Sequence, residues 1–214
     1  MALSSISVYG KALCNGDGLL DEEHSMPAPE TLYGISKWAA EQAMRRYARL
    51  EQMDLRIVRI GPAFGPWEHR SGSRAILSPH HQITTLARRG AVCVLPRAVP
   101  ADWIFSRHAA QRIVDVLLAV EPGADLFNLG GGRITTLIHW CEQLSRLIPD
   151  FRWHIDASAP NIRYGYATDR PALDNGRIDA VSPLGAVSLA KAAEDTLAWL
   201  DRFQPLAENR GNQA

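Results

Sequence analysis

Ser4-Ser5-Ile6-Ser7-Val8-Tyr9-Gly10, then Tyr33-Gly34-Ile35-Ser36-Lys37, then Asp54-Leu55-Arg56-Ile57-Val58-Arg59-Ile60 before a Gly61-Pro62-Ala63-Phe64-Gly65-Pro66 break, is the stretch that decides the fold. Residues 2–9 start apolar at Ala2 and Leu3 and stop at Gly10, which predicts the end of a strand. Residues 10–31 are rich in Gly, Asp, Glu and Pro and read as a loop. Thr31 is a candidate cap for a helix from Tyr33 to Glu51, along which Trp38, Ala39, Ala43, Met44, Tyr47 and Leu50 recur at helical spacing. Leu55, Ile57, Val58 and Ile60 then make a largely apolar strand, buried on both faces. Strand, helix, strand at this spacing is the rhythm of an α/β protein with a parallel sheet.

Beyond Pro66 the rhythm loosens. The pattern predicts a helix over 83–89, short strands over 92–95 and 103–105, a helix over 108–120 and a strand over 125–129. A helix starting at Thr135 or Thr136 runs to Leu147, residues 151–155 alternate like a strand, and a last helix covers 188–203. The balance of 23 basic against 23 acidic residues gives no electrostatic reason for a nucleic-acid or acidic-membrane partner. No apolar run is long enough to span a bilayer, and the start lacks a signal-peptide pattern, so a cytoplasmic protein is expected. Cys14, Cys93 and Cys141 are odd in number and widely spaced, so they read as reduced thiols. Adjacent His80 and His81 rarely share one tetrahedral ion, and no metal site is expected.

The chemistry lies near the start. Tyr33 and Lys37 stand four apart on a helix and so share a face. A free tyrosine has a pKa of ~10, and a neighbouring ammonium favours its phenolate. Ser5, at the end of an adjacent strand, can hydrogen-bond the same substrate oxygen. Together the three form a proton relay that interconverts an alcohol and a carbonyl, with the hydride passing to a cofactor.

These segments, in this order, resemble the extended branch of the short-chain dehydrogenase/reductase superfamily, the NAD-dependent epimerase/dehydratase family. Ala101-Asp102-Trp103-Ile104-Phe105, Phe127-Asn128-Leu129-Gly130 and Ser182-Pro183-Leu184-Gly185 continue the likeness, which spans about residues 2–203. The resemblance implies the C-terminal portion of a Rossmann-type parallel sheet with a smaller α+β substrate lobe. Residues 1–66 would be the C-terminal part of the NAD(P)-binding domain, 67–204 mainly the substrate lobe and 205–214 a polar tail. It implies Tyr33 as acid/base, Lys37 as its assistant and holder of the nicotinamide ribose, and Ser5 as the catalytic hydroxyl. Ser4 would lie along the nicotinamide of NAD or NADP, and Ile60 and Gly61 would line its pocket. The substrate implied is a sugar or nucleotide-sugar alcohol. The helix from Tyr33, with small Ala39, Ala40 and Ala43, is of the kind that pairs subunits into a homodimer.

Three departures qualify the likeness. The dehydratases carry Thr-Asp-Glu where this chain has Ser5-Ile6-Ser7, and Ile6 and Ser7 cannot act as acid and base, which favours an epimerase or simple dehydrogenase. The family's diphosphate-gripping arginine is replaced by Ala101, with Arg97 and Arg170 the candidates to compensate, and Pro62 replaces a frequent Asn. The family's opening strand and Gly-x-x-Gly-x-x-Gly are not in this sequence. Gly16-Asp17-Gly18 and Gly130-Gly131-Gly132 read as turns instead. The isolated 214 residues are therefore expected to lack the pyrophosphate site and to be inactive. The alternative is a truncated, non-catalytic remnant or binding module.

Overall fold

The computed structural model describes residues 1–69, 76–165 and 169–210. Its main sheet holds β1 (Ala2–Ser5), β2 (Ile57–Ile60) and β6 (Leu126–Leu129) in the order β1-β2-β6, all parallel. Ala2 stands beside Ile57, and Ile57 beside Leu126. Two smaller parallel pairs complete the strands: β3 (Ala63–Phe64) with β5 (Ile104–Phe105), and β4 (Cys93–Leu95) with β7 (Trp153–Ile155). The helices are α1 (Leu32–Leu50), α2 (Pro79–Arg88), α3 (Ser106–Leu118), α4 (Leu137–Leu147), α5 (Gly176–Val181) and α6 (Leu189–Arg210). Among the described residues no helix is long and apolar enough to cross a membrane.

The structure is α/β with parallel sheets, as expected, and its differences from the sequence reading have local causes. The first strand ends at Ser5, not near Tyr9, because the Ser5 side chain accepts the Ser7 N–H and turns Ile6–Val8 into a 3-10 helix. α2 starts four residues early: Ser78 caps it through the His81 N–H, and Pro79 sits at a helix-opening position where its missing N–H costs nothing. α6 continues beyond Phe203 to Arg210. Residues 211–214 of the expected tail lie outside the described residues. β3 and α5 are too short to leave a periodic signal.

There are two main cores. One packs Phe64, Leu95, Trp103, Trp140 and Leu144 between α2, α4 and the β4–β7 pair; the other packs Val58, Val116, Phe127 and Ile178 against the main sheet. Arg56 joins β2 to α3: its Nη1 donates to the carbonyls of Val116 at 2.6 Å and Ala119 at 2.7 Å, satisfying acceptors that a helix end leaves open.

Candidate active site

Parallel α/β sheets bind ligands beyond the carboxyl ends of their strands. A cavity of about 640 Å³ lies there, bordered by Ser5 at the end of β1 and by Gly61 and Pro62 after β2. Tyr33 at the start of α1, Asp102 and Trp103 ahead of β5, and Arg163, Tyr164 and Arg170 close it. Thr31 caps α1 by accepting the Gly34 N–H at 3.0 Å, and this sets Tyr33 at the cavity wall. Gly34 is required for the close approach. A Cβ at that position would sit 2.4 Å from the Ser7 carbonyl oxygen, so only glycine lets α1 abut the turn that carries Ser5.

Of the six residues singled out in the sequence, Ser5, Tyr33 and Gly61 border the cavity. Ser5 Oγ accepts the Ser7 N–H at 3.1 Å, which leaves the hydroxyl hydrogen to donate. Lys37 stands just behind: its ammonium lies 5.8 Å from the Tyr33 ring centre and donates to the Leu3 carbonyl at 3.1 Å. Ser4 turns the other way and hydrogen-bonds Glu41. Ile60 packs against the second core and does not border the cavity.

The sequence reading missed the network behind the site. Glu41 and Arg59, each with a 2% exposed side chain, form a two-pronged ion pair with contacts of 3.0 and 2.7 Å. Burial opposes the Arg59 charge, but Glu41 and Tyr9 outweigh it and hold its pKa above the usual value. The guanidinium also lies 4.7 Å from the centre of the Tyr9 ring. Burial in turn pushes the Tyr9 phenol up. This cluster locks α1 to β1 and β2, the three elements that carry the Tyr33, Ser5 and Gly61 walls. A buried carboxylate that meets an arginine only in the tertiary structure has no local signature.

Asp102 is the other missed residue. It is 2% exposed, burial raises its carboxyl pKa, and backbone N–H groups of Leu173, Arg133, Gly131 and Gly132 oppose that rise. It thereby ties the cavity wall to the glycine turn after β6. Backbone N–H groups of the turn, from Gly131, Gly132 and Arg133, face the Asp102 carboxylate, and a Cβ on Gly130 would meet Asp102 Oδ2 at 1.8 Å and one on Gly131 the Trp103 carbonyl at 2.1 Å. Of the arginines weighed as anion holders, Arg170 lines the cavity and lies 3.3 Å from Ser7 Oγ, whereas Arg97 pairs with Asp169. Trp103, one of two tryptophans read as either stacking or packing, borders the cavity with its ring 5.4 Å from Tyr164. Trp67 packs on Trp199 and Phe203 instead. His80 is enclosed by Phe64, Trp103 and Trp140.

Parallel strands of an α/β fold thus end at a pocket bordered by Ser5 and by Tyr33 at the start of α1, with Lys37 behind the tyrosine. The comparisons give the family: the chain belongs to the NAD dependent epimerase/dehydratase family, whose model matches residues 1–130. A curated relative is the dTDP-L-rhamnose 4-epimerase of Burkholderia thailandensis, 25% identical over 118 residues, which cover 54% of this chain and 32% of that protein. Solved structures share the fold. An epimerase from Methanothermobacter thermautotrophicus aligns with a TM-score of 0.77 at 18% identity, over 97% of this chain and 60% of its own. The UDP-glucose 4-epimerase of Thermotoga maritima, determined with UDP-glucose, aligns at 0.74 and 17% identity, over 95% and 63%. The dTDP-glucose 4,6-dehydratase of Bacillus anthracis, determined with NAD, aligns at 0.71 and 18% identity, over 97% and 63%. The chain thus spans about a third of the curated relative and under two thirds of these structures.

Proposed function

We propose that this chain carries the proton-transfer centre and substrate pocket of an NAD(P)-dependent epimerase or dehydrogenase acting on a sugar or nucleotide-sugar alcohol. The observation that carries this reading is the convergence of Ser5 and Tyr33 on one cavity, with the Lys37 ammonium beside the Tyr33 ring. Tyr33 takes the proton from the substrate hydroxyl as the carbonyl forms and returns it in the reverse step. Ser5 donates a hydrogen bond to the same oxygen, and Lys37 supplies positive charge next to the tyrosine. Arg163 and Arg170 on the cavity wall suit an anionic substituent such as a sugar-nucleotide phosphate. When bound, a nicotinamide would take up or give back the hydride of the carbinol carbon. Ser5, Tyr33, Lys37 and Gly61 suit the reacting end of that cofactor; the filled glycine turn does not suit its pyrophosphate.

That second observation favours another reading, a sugar-binding module without turnover. The discriminating experiment assays UDP- and dTDP-sugars with NAD in a longer product that supplies the Gly-x-x-Gly-x-x-Gly segment, comparing the wild-type sequence with Tyr33→Phe. The expected result is a fall in kcat of about a hundredfold to ten-thousandfold with KM little changed. Equal turnover in the variant would overturn the assignment of Tyr33. Sugar nucleotide bound in the cavity with no turnover in either protein would favour the binding module.

A further inference from the structure

Two enclosed polar groups lack a partner around Trp103. Trp103 is 5% exposed and Thr135 is 8% exposed. Neither the indole Nε1–H of the first nor the hydroxyl of the second finds a hydrogen-bond partner among the described residues. The backbone holds them in place: Thr135 and Ala101 exchange N–H and carbonyl bonds at 2.9 and 3.0 Å, which keeps the threonine beside the segment that carries Trp103. A buried donor with nothing to donate to costs free energy, so such a group points to an occupant. Both residues border a second cavity, of about 30 Å³, between β5, the start of α3 and the first turns of α6. That is room for a particle of about water size.

The groups at its border decide which particle. The Trp103 indole and the Arg133 guanidinium only donate, the neutral His108 ring carries one N–H, and the Thr135 hydroxyl donates as well. The described residues that border the cavity include no carboxylate, and Phe64, Phe105 and Leu189 make much of the rest apolar. A water would have to give two hydrogens of its own to a border poor in acceptors. A monovalent anion only receives, and a weakly hydrated one tolerates apolar walls. A buried charge must also be paired. Arg133 supplies that charge from the exposed rim, where its Nη2 reaches the Val187 carbonyl at 3.5 Å. We propose that this cavity binds one monovalent anion of chloride size, held by Trp103 Nε1–H, the Thr135 hydroxyl and Arg133. Trp103 is also a wall of the 640 Å³ cavity, so the ion pins a ring that both cavities share. The site stands whether or not the chain turns over a substrate.

Unfolding of the 214-residue chain in sodium chloride and in sodium gluconate, at equal ionic strength, separates a bound ion from general screening, because gluconate is too large for the cavity. The folding equilibrium constant is expected to rise with chloride, by about elevenfold at ten times its dissociation constant, and to stay flat in gluconate. Thr135→Val keeps the shape and forfeits no hydrogen bond within the described chain; Arg133→Gln removes the charge at an exposed position. Each should weaken chloride binding at least about tenfold, the loss of one hydrogen bond to a charged group. Circular dichroism checks that the variants keep the fold, and Arg133→Gln carries the test if Thr135→Val does not. Crystals grown in sodium bromide should show anomalous signal in the cavity. Coincident chloride and gluconate curves overturn the proposal. So does a chloride effect that the variants retain, which would move the ion elsewhere, or a cavity that holds water with no bromide signal.

Discussion

Both ring nitrogens of His80 lack a hydrogen-bond partner among the described residues. The ring stacks on Phe64 at 4.1 Å and meets Trp103 edge-on at 4.6 Å. Burial alone pushes its pKa down to about 3. A histidine whose folded pKa lies below its unfolded value of about 6.5 stabilises the fold fully above the unfolded value. That contribution is lost as pH falls from there toward about 3, because the unfolded chain takes the proton first. The loss is on the order of a few kcal/mol. His80→Phe keeps an aromatic ring of similar size and forfeits no hydrogen bond. Its stability at neutral pH is expected to stay within about 1.5 kcal/mol of wild type, while its acid limb flattens. Urea midpoints measured against pH for both proteins check this; parallel curves would mean that the ring is already protonated or hydrated in the folded chain.

At the scale of elements, α1 decides whether the site exists. Its start supplies Tyr33, its last turn is anchored through Ala48, and Glu41 between them holds Arg59 of β2 and Ser4 of β1. Gly34 sets the approach of this helix to the turn after β1. Two effects compete when it becomes alanine. Helix propensity favours alanine by about 1 kcal/mol, but the new Cβ would lie 2.4 Å from a backbone oxygen that has no rotamer to escape into. The steric cost of overpacking, about 1–3 kcal/mol, wins. Gly34→Ala is therefore expected to lower the melting temperature and to draw Tyr33 away from Ser5. A more stable variant would show that α1 and the Ser7 turn do not touch in solution.

For the whole molecule, the cavity combines walls from segments far apart in the chain, from Ser5 to Arg170. Space beside Gly130 and Gly131 is taken by Asp102 and Trp103. The 214-residue chain is accordingly expected to bind NADH weakly, without the tight hold that backbone N–H groups at a helix start give a pyrophosphate. Fluorescence titration of the purified chain measures this directly. A micromolar dissociation constant would mean that residues elsewhere in the chain hold the adenine half.

The α/β class, the parallel rhythm and the extent of α1 were legible in sequence, because strand and helix patterns repeat over a few residues and Thr31 and the Gly-Pro break punctuate them. That Ser5 and Tyr33 border one pocket was legible because a strand end and a following helix start lie on the same side of a parallel sheet. What surrounds them was decided by packing between segments far apart in the chain. Ser4 looks like a pocket residue until Glu41 is seen to take its hydroxyl. The three glycines after β6 look like an open turn until Asp102 and Trp103 are seen to fill it. Arg170 reaches the cavity and Arg97 does not, although nothing in either residue's neighbourhood along the chain distinguishes them. Local pattern fixes which way a side chain points along its own element; what it meets there is set by distant residues, and this only the folded structure decides.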